Sequence, residues 1–231
     1  YEIGVRLVGS EMCIRDRSNG ATEQAFFKID WFTVGSVELT WGFIIDPLSV
    51  SILGLVTFVA LMVQIYSLSY MKDDPRFNWY FGVQAVFAGS MLTLVLADNF
   101  LLLYIAWELV GLCSYLLIGF WYERKPAVEA AKKAFITTRL ADVALLVGIL
   151  LLYKQVGSFS MSETFEQAEL LMAGANSALS SGTTLIAALL LFVGAMGKSA
   201  QVPLHVWLPD AMEGPTPVSY THLTLPTILL V

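Results

Sequence analysis

Five apolar runs, each about as long as a bilayer is thick, decide most of what this chain can fold into. They are Pro47–Met71, Phe77–Ala97, Asn99–Tyr122, Ala134–Tyr153 and Thr183–Leu208. About 20 apolar residues in a helix cross the hydrocarbon core, and a lipid-exposed segment must satisfy its own backbone. Runs of this length without strict alternation specify helices rather than strands. The chain therefore reads as an all-α polytopic membrane protein with about five transmembrane helices. Only 14% of its residues are charged, against about 25% in soluble domains. The net charge of −6 lies mostly in loops, and no basic nucleic-acid footprint is present. Cys13 and Cys113 offer neither a disulfide framework nor metal-ligand spacing.

The polar segments complete this plan. Ala25–Ile45 is rich in β-branched and aromatic residues and breaks at Gly35-Ser36, which predicts a short surface β-hairpin. Asp46-Pro47 then opens a helix, with aspartate as cap and proline in the first turn. Asp98-Asn99 forms a very tight turn between the second and third spans. Within the linker 154–182, Ser162–Gly174 predicts a short amphipathic helix on the membrane surface. Residues 1–18 include VGSEMCIRDR and lack the pattern of a signal peptide. They resemble translated adaptor sequence, as does SYTHLTLPT near the other end, so Cys13 and His222 are expected to carry no functional information. The expected organisation is an artefact-like segment 1–18, a hairpin segment 19–46, a partial antiporter-like transmembrane domain 47–218 and an artefact-like tail 219–231.

Loop charges give an orientation. Lys72 and Arg76 lie in loop 72–76, and Arg124, Lys125, Lys132 and Lys133 in loop 123–133. Alternating spans put both loops on one side, which the positive-inside rule makes cytoplasmic. The hairpin and the linker 154–182 then face the periplasm.

Ionisable residues inside these runs are the candidates for function, because a charge at bilayer depth costs at least a few kcal/mol. Glu108 lies in the third run and Lys198 in the fifth. Burial disfavours the charged form of either group, and an opposite charge nearby restores it. A Glu108–Lys198 pair whose separation changes would therefore take up and release a proton. The alternative is a static ion pair that ties two helices together. Arg139 and Asp142 lie three residues apart on one helix face and are spaced to pair, with Asp142 also placed to tune Glu108 or Lys198. Pro203 breaks the last span beside Lys198, and broken helices line cavities in transporters. His205 is a weaker proton-relay candidate. Thr137, Thr138, Ser199 and Gln201 read as packing or water-bonding groups. Trp107, Trp121 and Trp207 read as packing or interface anchors. The sequence contains no phosphate-binding loop, dinucleotide fingerprint, cysteine cluster or pair of intramembrane histidines.

WELVGLCSYLLIGFWY (Trp107–Tyr122) and GKSAQVPLHVWLPDAMEGPTPVS (Gly197–Ser219) closely resemble the antiporter-like family of the L subunit of bacterial respiratory complex I, or NADH-quinone oxidoreductase. The large subunit of multisubunit cation/proton antiporters shares the fold. The resemblance covers almost all of 19–219. It implies a proton-translocating subunit of the bacterial inner membrane whose partners are other complex I membrane subunits. It also implies no redox cofactor in this chain, with NADH, FMN, iron–sulfur clusters and quinone belonging to other subunits. The family's half-channel glutamate and lysine fall on Glu108 and Lys198, and its intervening acidic residue on Asp142. Its broken helix matches Pro203. In the family GPTPVS leads into a helix bearing histidines, then a second repeat and a lateral helix. Here it runs into THLTLPTILLV, so the chain is expected to be a fragment. The other expectations in view are a Na⁺(K⁺)/H⁺ antiporter subunit, a structural subunit with a static ion pair and, more weakly, a quinone-processing enzyme.

Overall fold

The computed structural model describes residues 25–34 and 37–218, with side chains at the hairpin tip left aside. The expectations for 1–18 and 219–231, including Cys13 and His222, and for the Gly35-Ser36 turn lie outside the described residues. Strands β1 (Ala25–Val34) and β2 (Val37–Ile45) pair antiparallel, from Ala25 opposite Ile45 to Val34 opposite Val37, with a bulge between Asp30 and Phe32. Phe27 and Phe43, directly opposite, stack at 6.4 Å. Cross-strand aromatic pairs of this kind stabilise two-stranded ribbons.

The chain turns from strand to helix at a capping box. The Ser49 amide donates to Asp46 Oδ1 at 2.6 Å, and the Asp46 amide donates to Ser49 Oγ at 2.8 Å. Pro47 occupies the first turn, where its missing N–H costs nothing. Helix α1 (Pro47–Tyr70) follows, then α2 (Phe77–Leu96), α3 (Phe100–Ile118) and α4 (Lys125–Val156). The short α5 (Met161–Met172) precedes α6 (Ser181–Lys198). Two 3₁₀ turns, Leu204–Trp207 and Asp210–Glu213, lead to the single turn α7 (Thr216–Val218). Five of these helices, α1 to α4 and α6, are long and apolar enough to cross a membrane.

Three boundaries differ from the sequence reading, each for a local reason. The third span ends at Ile118 because Gly119 leaves the helix, whereas apolarity alone carries on to Tyr122. The fourth begins at Lys125, nine residues before the apolar run. Pro126 and alanines support the helix there despite Lys125, Glu129, Lys132 and Lys133. Its 32 residues span about 48 Å at 1.5 Å per residue, so the charged turns extend past the hydrocarbon. The fifth span stops at Lys198 and continues as 3₁₀ turns.

The two ends of the bundle are fastened differently. At the hairpin end, Asn99 accepts from the Leu102 amide at 2.8 Å to cap α3, and its side-chain NH₂ donates to Thr40 O at 3.1 Å. The Asp98 amide donates to Gly42 O at 3.1 Å, and the Met161 amide to Asp98 O at 3.1 Å. The Asp98 carboxylate is buried against Gly42 and accepts from Asn99 at 2.7 Å. Hairpin, α3 and α5 thus meet on one dipeptide. At the other end, Arg76 pairs with Glu123 at 3.1 Å and lies over the rings of Phe120 and Tyr122.

Packing is closest between α4 and α6, where small residues set the separation. A side chain at Gly194 would place its Cβ 2.7 Å from Leu145 Cβ, and one at Gly148 would reach 3.1 Å from the Ala187 carbonyl. Gly197 lies directly against Ala141. Lipid gives no hydrophobic drive to helix association, so close backbone approach and polar contacts carry it.

Candidate functional site

Helices α3, α4 and α6 converge on four charged side chains. Asp142 and Lys198 are the inner pair: their side chains are 1% and 7% exposed, and Lys198 Nζ stands 3.7 Å from Asp142 Oδ2. That separation is a Coulombic contact beyond hydrogen-bond length. It is worth about 4 kcal/mol at an effective dielectric of 20. The other Asp142 oxygen, Oδ1, accepts a 2.6 Å hydrogen bond from the Trp107 indole N–H. The face of that indole also lies 5.8 Å from Lys198 Nζ, within cation–π reach. Trp107 thus touches both members of the pair.

Glu108 and Arg139 are the outer pair, 18% and 31% exposed at the side chain. Their carboxylate and guanidinium are in direct contact, and Arg139 Nη2 also donates to the Glu108 carbonyl at 3.3 Å. The partners are therefore exchanged relative to the sequence reading. Glu108 pairs with Arg139 instead of Lys198, and Asp142 pairs with Lys198 instead of Arg139. Three-residue spacing on a helix permits contact, but Arg139 reaches across to α3 while Asp142 points to the end of α6. Asp142, expected to bias a pair from outside, is itself a member of one.

Lys198 is the last residue of α6. The helix breaks immediately after it, before Pro203 is reached: Ala200 takes a left-handed φ of 50°, and the Gln201 amide turns back to Met196 O at 3.1 Å. A left-handed non-glycine residue costs roughly 1–3 kcal/mol, so the surrounding packing must impose it. The Trp207 indole contributes by donating to Gly197 O at 3.1 Å, folding the 3₁₀ turn back against the helix end. His205 lies exposed on that turn. Thr138 spends its hydroxyl on the Ala134 carbonyl at 3.0 Å, as packing glue does. Ser199 Oγ, Asp142 Oδ2 and Arg139 Nε are buried without a hydrogen-bond partner in the protein.

A crevice of about 20 Å³ lies beside Lys198 between α3 and α4, lined among others by Ser114, Tyr115, Thr138 and Trp207. A single water needs about 10–15 Å³ by that measure. Among the described residues no group of three or more His, Cys, Asp or Glu is gathered in a metal-binding arrangement.

Sequence reasoning missed Trp107 as a site residue. Its signal was available: a buried tryptophan needs an acceptor for its N–H, and an indole in a membrane span has few besides an intramembrane carboxylate.

Residues 97–228 match the family model described as NADH:quinone oxidoreductase/Mrp antiporter, transmembrane, and residues 31–81 match that of the N-terminus of complex I chain 5. The first match runs beyond the described residues into the tail. The chain is 48% identical to the NAD(P)H-quinone oxidoreductase chain 5 of Synechocystis sp., over 94% of its own length and 31% of that protein. It is 49% identical to the chloroplastic subunit 5 of Anthoceros angustus, over 84% of this chain and 26% of the relative. It thus spans about a third of the length of the curated relatives it matches. Among solved structures, the Mrp complex from Dietzia sp. DQ12-45-1b contains a chain superposable with a TM-score of 0.78 at 29% identity. That match covers 91% of this chain and 23% of the other.

Proposed function

This chain belongs to the membrane-subunit family shared by NADH:quinone oxidoreductases and Mrp antiporters, and on that premise we propose that it is part of a proton-translocating subunit of NAD(P)H-quinone oxidoreductase. The observation that carries this reading is the buried Lys198–Asp142 pair, set where α6 breaks and served by the crevice. An ammonium held by one carboxylate keeps its proton. The same ammonium moved away from that carboxylate in a low-dielectric site gives the proton up. Lys198 is the proton carrier in this scheme, and Asp142 sets its hold. Glu108 and Arg139 form a second pair whose opening frees a carboxylate on α3 for Lys198. Ser199 Oγ, Arg139 Nε and Asp142 Oδ2 supply polar atoms for water along the route. His205 is left with a secondary role at the 3₁₀ turn.

Electron transfer on NADH, flavin, iron–sulfur clusters and quinone then takes place in other subunits. This chain contributes the charge rearrangement, with neighbouring membrane subunits and lipid as its partners. The charged first turns of α4 and loop 72–76 support, by the positive-inside rule, a cytoplasmic position for that end in a bacterial inner membrane. The hairpin and the linker 154–182 face the periplasm.

The test uses the assembled enzyme in inside-out vesicles. Lys198→Met should abolish most NADH-driven acidification while assembly persists. Undiminished pumping would leave the ion pair a static tie between helices. The likeness to the Mrp complex chain supports a second reading, exchange of Na⁺ or K⁺ for H⁺. A proton flux driven by a Na⁺ gradient without NADH would favour it.

A further inference from the structure

The loop end of the bundle holds a groove that takes no part in the charge rearrangement. It measures about 250 Å³ and lies between the foot of α3 and the first turns of α4. Its walls include Leu116, Phe120, Tyr122, Val128 and Ala131, with Trp79 of α2. Trp79 and Tyr122 are more than half exposed, as aromatic side chains at the headgroup level of a bilayer are.

The walls are apolar, and the rim is cationic. The Arg76 guanidinium lies 4.9 Å from the Phe120 ring centre and 4.6 Å from that of Tyr122. Glu123 takes one of its nitrogens at 3.1 Å, and Nη1 is buried without a hydrogen-bond partner in the protein. Lys125 stands three residues before Val128 on α4, which puts both on one helix face. Arg124, just before it, is exposed, with its guanidinium 4.8 Å from the Trp121 ring centre. Among the described residues neither Arg124 nor Lys125 has a carboxylate partner. α4 also starts with no side-chain cap and no acidic residue in its first turn, so its positive dipole end is unanswered. The groove of similar size at the hairpin end, about 240 Å³, differs in having Asp46 in its wall.

We propose that the groove at the loop end is a binding site for an anionic phospholipid. An acyl chain lies between Trp79, Leu116 and Val128, and the phosphate meets Arg124, Lys125 and the uncapped start of α4. The cationic rim borders apolar walls at the end of membrane-crossing helices, which suits a lipid and not a free phosphate. Each basic residue beside an anionic headgroup raises affinity about fivefold. The site is independent of proton carriage by Lys198.

The test follows tryptophan fluorescence of the full chain in nanodiscs of phosphatidylcholine. Brominated phosphatidylglycerol or brominated phosphatidylcholine replaces the host lipid stepwise. Bromine on an acyl chain quenches nearby indoles, and the quenching that disappears in Trp79→Phe belongs to the groove. That part should need about a five- to twenty-fivefold smaller fraction of phosphatidylglycerol than of phosphatidylcholine, about fivefold for each of the two cations. Arg124→Gln combined with Lys125→Gln makes the two lipids equal. Lys154→Gln, at the opposite end of α4, leaves the preference as it was. Equal quenching by both lipids in the unaltered chain, or a preference that survives the double variant, overturns the proposal. So does a Trp79 signal that neither lipid quenches, which assigns the groove to another stretch of protein. If the double variant folds poorly, salt replaces it: at about 1 M, with a Debye length of about 3 Å, the preference of the unaltered chain should vanish. A preference that salt leaves untouched overturns the proposal equally.

Discussion

Helices α4 and α6 meet through glycine and alanine with a buried ion pair at the end of their seam, whereas α1 leans on its neighbours with few buried residues. Along α1 only Ser49, Val56 and Ser67 are buried, and Leu48, Phe58, Leu61, Ile65 and Leu68 are at least half exposed. Both regions are apolar, and in water both would be driven inward. In lipid, apolarity does not distinguish inside from outside, and residue size and polarity do. The seam is where this chain invests specificity, and α1 is where it meets the hydrocarbon or other protein.

The comparison can be broken from its strong side first. Asp142→Ala strands Lys198 without its partner and should destabilise the bundle by about 3–5 kcal/mol, measured by thermal unfolding in detergent. If stability is unchanged, the inner pair contributes nothing and the seam is held by packing alone. Trp107→Phe keeps the bulk of the ring but removes the 2.6 Å bond to Asp142, for an expected loss of about 1.5–3 kcal/mol in the same assay. Gly194→Ala drives a methyl into Leu145 and should cost roughly 1–3 kcal/mol; helix-separation distances from spin labels on α4 and α6 would widen with it. The weak side sharpens the contrast. Phe58→Ala and Leu61→Ala, on the exposed face of α1, should shift stability by no more than about 0.5 kcal/mol. A loss comparable to that of Gly194→Ala would show that α1 is a packed helix after all.

What the sequence made legible follows the same division. Spans announce themselves through length and apolarity, so α1 and α2 match within a residue of their expected ends. The amphipathic stretch expected at Ser162–Gly174 forms as α5. Lys198, Glu108, Asp142 and Arg139 were identifiable singly, since charges inside apolar runs stand out. Their pairing was not. Which cation meets which carboxylate depends on how α3, α4 and α6 are rotated against one another, and the close contacts of Gly194 with Leu145 and of Gly197 with Ala141 constrain that between α4 and α6. Periodicity within one helix carries no information about a neighbour's rotation. The start of α4 was obscured for the opposite reason: its first turns are charged, and helix propensity rather than apolarity extends it.

The dipeptide Asp98-Asn99 has a mechanical consequence. It fixes the head of α3 to the hairpin and to α5 at once, while the foot of α3 runs out at Gly119 into a loop. The foot is held too, by the buried Leu117, Ile118 and Phe120, so the helix is clamped at both ends. Glu108 lies nine residues from Asn99, about 14 Å along the axis. Trp107 and Gly111 lie on the same helix. The groups that face Lys198 and Asp142 are therefore borne on one stiff strut, tied through a single dipeptide to the hairpin at the rim of the membrane.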